Sequence, residues 1–245
     1  MNTINILGVP FASLTPEAAI GLLVKWLDAP KNHVVVTPNP EGVMQARRNR
    51  DFANALIGAD LSLADGIGIY LASVIYGNRL PSRVRGVDTT FGLFAKLGEM
   101  ERPVTAYFLG GRTGVAKSAA KNMEARHANL KVVGHHDGYY TESMEKCIVE
   151  NINRLRPDIL LVCLGMPKAE IFADRHRGIG AKITLCVGGT IDVMAGNVRL
   201  APAALRKIGL EWLYRLIKEP RRFFRMLDLP RFVFAVLADK ARGNM

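Results

Sequence analysis

Seven short segments rich in β-branched residues, at 4–7, 34–37, 61–64, 104–109, 131–134, 159–164 and 183–187, are separated by longer stretches of helical period. Many of them are apolar throughout rather than alternating, as expected of strands covered by helices on both faces. This spacing predicts an α/β fold with a mostly parallel sheet and helices on both faces. Thr15-Pro16-Glu17 reads as a helix start, with Thr15 as cap and Leu22, Leu23 and Trp26 on the buried stripe. Further helices are predicted at 41–57, 66–76, 88–98, 113–127, 141–154 and 168–176.

After about residue 200 the pattern changes. Two helices, 203–218 and 220–237, follow with no further strand; Pro220 suits a helix start and Pro230 is expected to kink or break the second. The expected organisation is an α/β core over 1–200 and a basic helical appendage over 201–245. Of the formal net charge of +11, the segment 206–245 contributes +6, from ten basic against four acidic residues. Such an excess suits nucleic acid, anionic lipid or phosphorylated substrates. Apolar runs such as 159–163 are too short to cross a membrane, and no charged-then-apolar leader opens the chain, so neither secretion nor spanning is expected. Cys147, Cys163 and Cys186 are widely spaced, without CxxC, and read as reduced core thiols of a cytosolic protein.

Ligands of open parallel sheets bind beyond the C-terminal strand ends. Five such ends are informative: "VVVTPNPE" with Thr37 and Asn39, Asp65-Gly66, "YFLGGRTG", "LVCLGMPKAE" and "CVGGTIDVMAG". Each also has a local reading as a helix cap or turn. Gly110-Gly111 and Gly188-Gly189 each lie between a strand and a helix, where a missing Cβ lets backbone N–H groups approach a nucleotide diphosphate. Neither GxGxxG nor GxxxxGK[ST] is present, so the glycines alone support phosphate binding weakly. Asp65 is either a helix cap, worth about 1 kcal/mol, or a general base facing a pocket. Asp192 either caps its helix or bonds a nucleotide, and Lys168 and Glu170 contact a nucleotide or each other. Arg83 and Arg85, after Pro81, read equally as a solvated turn or as functional. His135-His136 has no third ligand at suitable spacing, so a structural or substrate-lining role is favoured over metal.

The motifs "TPNPEGV", "LADGIGI", "RVRGVD", "FLGG", "HDGYY", "LGMPKAE", "GGTIDVMAG" and "GLEWLYRLIKEPRRFFRM" resemble those of the WecG/TagA/CpsF family of bacterial glycosyltransferases, from the first strand to about residue 232. The resemblance implies a Rossmann-like fold and transfer of an N-acetylmannosamine-type sugar from UDP to N-acetylglucosaminyl-diphospho-undecaprenol, at the inner face of the cytoplasmic membrane, for cell-surface polysaccharide. It implies Asp65 as catalytic base, with Thr37, Asn39 and Arg83 lining the sugar site, and Arg215, Arg222 and Arg225 meeting the lipid diphosphate. Gly66, Gly110, Gly111, Gly165, Pro167, Lys168, Glu170, Gly188, Gly189 and Asp192 are then candidates for holding the UDP-sugar, which is a substrate, so no cofactor is expected. The family usually reads Gln where this chain has Ala169, a departure that bears on donor identity more than on reaction type. A homo-oligomer, dimer or trimer, is a further family expectation.

No Asp-x-Asp is present to hold a divalent cation, and Glu99-Met100-Glu101 follows a helix rather than a strand, so metal-independent transfer is expected, inverting and with one base. In the appendage, Leu205, Ile208, Trp212, Leu213 and Leu216 are expected to pack on the core. Phe223, Phe224, Met226, Leu227, Leu229, Phe232, Val233 and Phe234, interleaved with Arg221, Arg222, Arg225 and Arg231, form an expected interfacial surface, each basic residue worth about 1 kcal/mol on an anionic leaflet. Nucleic acid ranks well below, for want of a recognition motif. Competing classes are transfer of another UDP-hexose, a non-catalytic nucleotide- or lipid-binding module, and a dinucleotide oxidoreductase.

Overall fold

The computed structural model describes residues 1–218 and 223–243. The chain opens with a hairpin of β1 (Thr3–Ile6) and β2 (Val9–Ala12), paired antiparallel. Its turn is made by Leu7 and Gly8 at φ 53° and 90°, and the Gly8 N–H donates to Asn5 Oδ1 at 2.8 Å. The first predicted strand therefore stands apart from the parallel sheet, and its partner was not foreseen. The reason is visible in burial: Ile4 and Ile6 face the core while Thr3 and Asn5 face out, the alternation of a sheet with one covered face.

The other six predicted strands are present as β3 (His33–Val36), β4 (Leu61–Ser62), β5 (Val104–Gly110), β6 (Leu130–His136), β7 (Ile159–Cys163) and β8 (Ile183–Cys186). They form one parallel sheet in the order β4-β3-β8-β7-β5-β6. Every residue of β3, β7 and β8 is buried, which is why these strands read as continuous apolar runs.

Two cores sandwich the sheet. On one face Val34, Val36, Leu160 and Val162 meet Val43, Phe52, Ile69, Ile152 and Phe172 from the helices Pro40–Ala46, Arg50–Gly58, Ile67–Ile75, Glu142–Leu155 and Lys168–Arg175. On the other, Val35, Ile159 and Leu161 meet Leu23, Phe94, Met123 and Ile191 from Pro16–Trp26, Gly86–Lys96, Val115–Arg126 and Thr190–Met194. The helix after β5 thus covers one face and the helix after β7 the other. The switch point, beyond which α/β sheets bind ligands, therefore falls between the C-terminal ends of these neighbouring strands.

Two helix expectations differ in detail. The stretch 41–57 is two helices, because the extended Asn49 restarts the chain and accepts the Phe52 N–H at 3.0 Å. The stretch 203–218 is Ala203–Ile208 and Glu211–Lys218, separated at Gly209, φ 82°. Within the described part of 220–237 the helix is interrupted at Leu227, between Phe223–Met226 and Asp228–Ala241; Pro230, in the first turn of the second, has no N–H to offer Met226 O, so the expected break falls just ahead of it.

That last helix seats Phe232 and Val236 in the first core, so the core draws on both sides of residue 200. Its outer contacts are Arg48 with Asp228 at 2.6 Å and the Tyr76 hydroxyl donating to Asp239 at 2.7 Å. Met226 and Phe232 are therefore buried rather than interfacial, whereas Phe223, Phe224, Leu227, Val233 and Phe234 are exposed as expected. Ile208, Trp212 and Leu213, expected to pack inward, are also exposed. Among the described residues no helix is long and apolar enough to cross a membrane. Phe232→Ala is expected to lower unfolding free energy by about 3–5 kcal/mol in urea titration.

Candidate active site

Three segments converge where β3 and β4 end. Beyond β4 the chain continues its pairing, with the Leu63 N–H donating to Val36 O at 2.9 Å. The 83–85 segment joins on the outside, its Val84 N–H donating to Ala64 O at 3.0 Å. Gly86 closes the corner: a Cβ there would meet the Thr37 side chain at 2.9 Å. Thr37, Asp65 and Arg83 are thus brought to one place by backbone bonds and a close glycine contact.

Thr37 is largely buried and its hydroxyl donates to Cys186 O at 3.0 Å, tying the rim of β3 to β8. Asp65 is half-buried and belongs to neither core. It is not the cap of the following helix. Gly66 holds that position at φ 91°, with no side-chain capping bond from it, a conformation that a residue with a Cβ adopts only under strain. The local reading does hold for Asn39, whose Oδ1 accepts the Gly42 N–H at 2.9 Å and caps Pro40–Ala46. Asn39 lies beside Asp65's neighbour: a Cβ on Gly66 would stand 3.9 Å from its own.

The C-terminal segment walls this corner. At the Gly209 bend a Cβ would meet Ile67 at 2.8 Å and Arg83 Nη1 at 3.1 Å. Arg83 Nη2 donates to Arg206 O at 3.1 Å, and Arg85 pairs with Glu211 at 3.0 Å. Neither arginine is a solvated turn residue. Sequence reasoning missed the partners: Asp88, three residues after Arg85, and Arg206 and Glu211, which lie far away along the chain. Of the expected acceptor arginines, Arg222 lies outside the described residues, as do the side chains of Arg215 and Arg225.

The glycine turns divide into two kinds. A Cβ on Gly165, Gly188 or Gly189 would meet nothing within 4 Å, so backbone there borders open space. On Gly110 it would stand 2.3 Å from Cys163 O, and on Gly111 2.8 Å from Val115. Gly138 also donates its N–H to Gly111 O at 2.8 Å. Close packing leaves no room for a Cβ at these two positions. At a strand spacing of about 4.8 Å, the β4 end is about 10 Å from the β8 end and about 19 Å from the β5 end.

In the β7 turn, Pro167 is half-buried as the cap of its helix and Lys168 is exposed, while Ala169 and Glu170 are buried. Ala169 O accepts from Cys186 Sγ at 3.4 Å, so position 169 packs beneath the rim and offers it no side chain. Glu170 Oε2 has no hydrogen-bond partner among the described residues, and burial raises its pKa to about 7. Asp192 is half-buried in the first turn after Gly189, and its carbonyl accepts from Asn197 and Val198. His135 and His136 line a cavity of about 350 Å³ with Tyr107 and Cys147. No group of three or more His, Cys, Asp or Glu able to hold a metal is found among the described residues.

The glycosyl transferase WecG/TagA/CpsF family model matches residues 4–245. An N-acetylglucosaminyldiphosphoundecaprenol N-acetyl-beta-D-mannosaminyltransferase of Bacillus subtilis (strain 168) is 32% identical over 242 residues, 98% of this chain and 93% of that protein. A protein of the same name from Bacillus spizizenii (strain ATCC 23059 / NRRL B-14472 / W23) is 33% identical over 213 residues, 86% of this chain and 81% of its own.

Glu170 offers a pH test of the packing beneath the rim. A carboxyl raised from 4.5 to about 7 favours the protonated native state, so its contribution is fully present below its unfolded pKa and is lost as pH rises through 7. Glu170→Gln is expected to be more stable than the parent by up to about 3 kcal/mol at pH 8, with a smaller gap at pH 5. Urea unfolding at both pH values measures it.

Proposed function

The chain belongs to the WecG/TagA/CpsF family and is a glycosyltransferase; from this we propose that it moves an N-acetylmannosamine-type sugar from UDP to N-acetylglucosaminyl-diphospho-undecaprenol, inverting the anomeric centre. The observation that carries the reading is the convergence of Thr37, Asp65 and Arg83 at the rim of β3 and β4, within about 10 Å of the open Gly188-Gly189 turn. The names of the two relatives support the acceptor and the sugar class.

Asp65 takes the proton from the acceptor hydroxyl as that oxygen attacks the anomeric carbon. A new glycosidic C–O bond forms, the bond from that carbon to the phosphate oxygen breaks, and UDP leaves with the electron pair. Backbone N–H groups at Gly188-Gly189 and arginines of the C-terminal helices meet its charge. The donor lies along the rim, with its sugar over β3 and β4, its diphosphate over β8 and β7, and its uracil toward β5 and β6. No resident cofactor or metal is needed, in keeping with the lack of Asp-x-Asp in the sequence.

The acceptor is fixed in a membrane, and the exposed Phe223, Phe224 and Phe234 among basic residues suit a peripheral enzyme on the inner leaflet. A second reading keeps the chemistry and changes the donor to another UDP-hexose; what raises it is the sequence departure at Ala169, where the family usually has Gln.

Asp65→Asn is expected to bind UDP as the parent does and to turn over about 10²–10⁴-fold more slowly. Calorimetry with UDP and UDP release with the lipid acceptor measure the two; unchanged turnover would remove Asp65 as base. Activity is expected to survive excess EDTA in the same assay, and its abolition would contradict metal-free transfer.

A further inference from the structure

Beside Arg83 lies a cavity of about 310 Å³ lined by Arg83, Arg85 and Arg206, with Asp88 and Thr89. Its basic lining suggests an anion site, but two carboxylates already answer the charge. Arg85 sits between Asp88 and Glu211, with the Glu211 contact at 3.0 Å, and Arg206 reaches Asp88 at 3.3 Å. The result is a chain of charges, Glu211-Arg85-Asp88-Arg206, that crosses twice between the start of the helix Gly86–Lys96 and the two sides of the Gly209 bend. Two crossings fix the rotation of the bend as well as its position.

Apolar burial holds the segment only in part: Leu205, Leu210, Tyr214 and Leu216 are half-buried. Ile208 and Ile217 are 64% and 69% exposed, and Trp212 and Leu213 each 37%. The Arg85 and Glu211 side chains, by contrast, are only 18% and 17% exposed, so solvent and salt screen their attraction less than at an open surface. What the bend presses on is the site itself. Gly209 rests on Ile67, which follows Asp65-Gly66, and on Arg83, which also holds Arg206 O.

We propose that Arg85 is a positioning residue: bridging Asp88 and Glu211, it latches the C-terminal helices onto the Asp65–Arg83 corner and so assembles the acceptor side of the site. The consequence for transfer rests on the function proposed above; the seating of the helices does not. Arg85 acts through its partners and touches no reacting atom.

The test compares Arg85→Gln, Glu211→Gln and the double variant by hydrogen–deuterium exchange of the full chain, alongside UDP affinity and turnover. Each single change is expected to speed exchange over 203–218 by about tenfold, leaving the sheet strands protected and UDP affinity unchanged. Turnover is expected to fall about 10- to 100-fold, with the double no worse than the worse single, since both remove one link. Arg85→Lys, which keeps charge but not the two-pronged geometry, should fall between. Unchanged exchange over 203–218 in the single variants overturns the latch, as does a double whose loss is the product of the two. If Arg85→Gln loosens the sheet as well, Glu211→Gln, altered only on the outer helix, decides. A parent that transfers no sugar sinks the proposed function, while the exchange result still judges the latch.

Discussion

Two backbone hydrogen bonds, from Leu63 N–H to Val36 O and from Val84 N–H to Ala64 O, set the place of everything at the rim. β4 itself is only Leu61–Ser62, too short to aim a residue three positions further on. The bonds extend the pairing past the formal strand, so main-chain pairing reaches to the residue before Asp65. The glycines complete the fit. Gly86 lets a helix start against Thr37, and Gly209 lets the C-terminal chain settle on Ile67 and Arg83. A methyl group at either would push apart parts that must work together.

The sheet then acts as a ruler. Its order places β3, β8 and β7 between the Asp65 edge and β5, and open backbone occurs at Gly188, Gly189 and Gly165, midway along. A nucleotide sugar laid along this rim has its reacting carbon at one end and its base at most roughly 13 Å away, under three strand spacings. The tight Gly110-Gly111 turn at the far end is packed against Cys163, Val115 and the Gly138 loop.

What the sequence made legible follows from locality and burial. Strands covered on both faces had to be largely apolar, as β3, β7 and β8 are, and six of the seven segments became the sheet. The hairpin was missed because β1 alternates and β2 contains Pro10. Thr37, Asn39 and Asp65 could be placed at the rim because strand ends before helices can be located from pattern alone. The cap question at Asp65 turned on a single glycine, Gly66, whose positive φ takes the N-cap for itself. The charge chain was invisible, since Arg85 and Glu211 lie 126 residues apart and Asp88 and Arg206 118 apart. No periodicity connects such pairs, and in sequence each arginine is only a basic residue near a turn. Ile208, Trp212 and Leu213 misled for a related reason: apolar spacing says which side chains share a face, not whether another surface covers it.

The most direct measurement is a crystal structure with UDP bound. The predicted result has the uracil toward the loops after β5 and β6, and the phosphates against Gly188-Gly189 with the β-phosphate turned toward Asp65. Uracil seated in the Thr37–Asp65–Arg83 corner, or phosphates bound away from this rim, would contradict it.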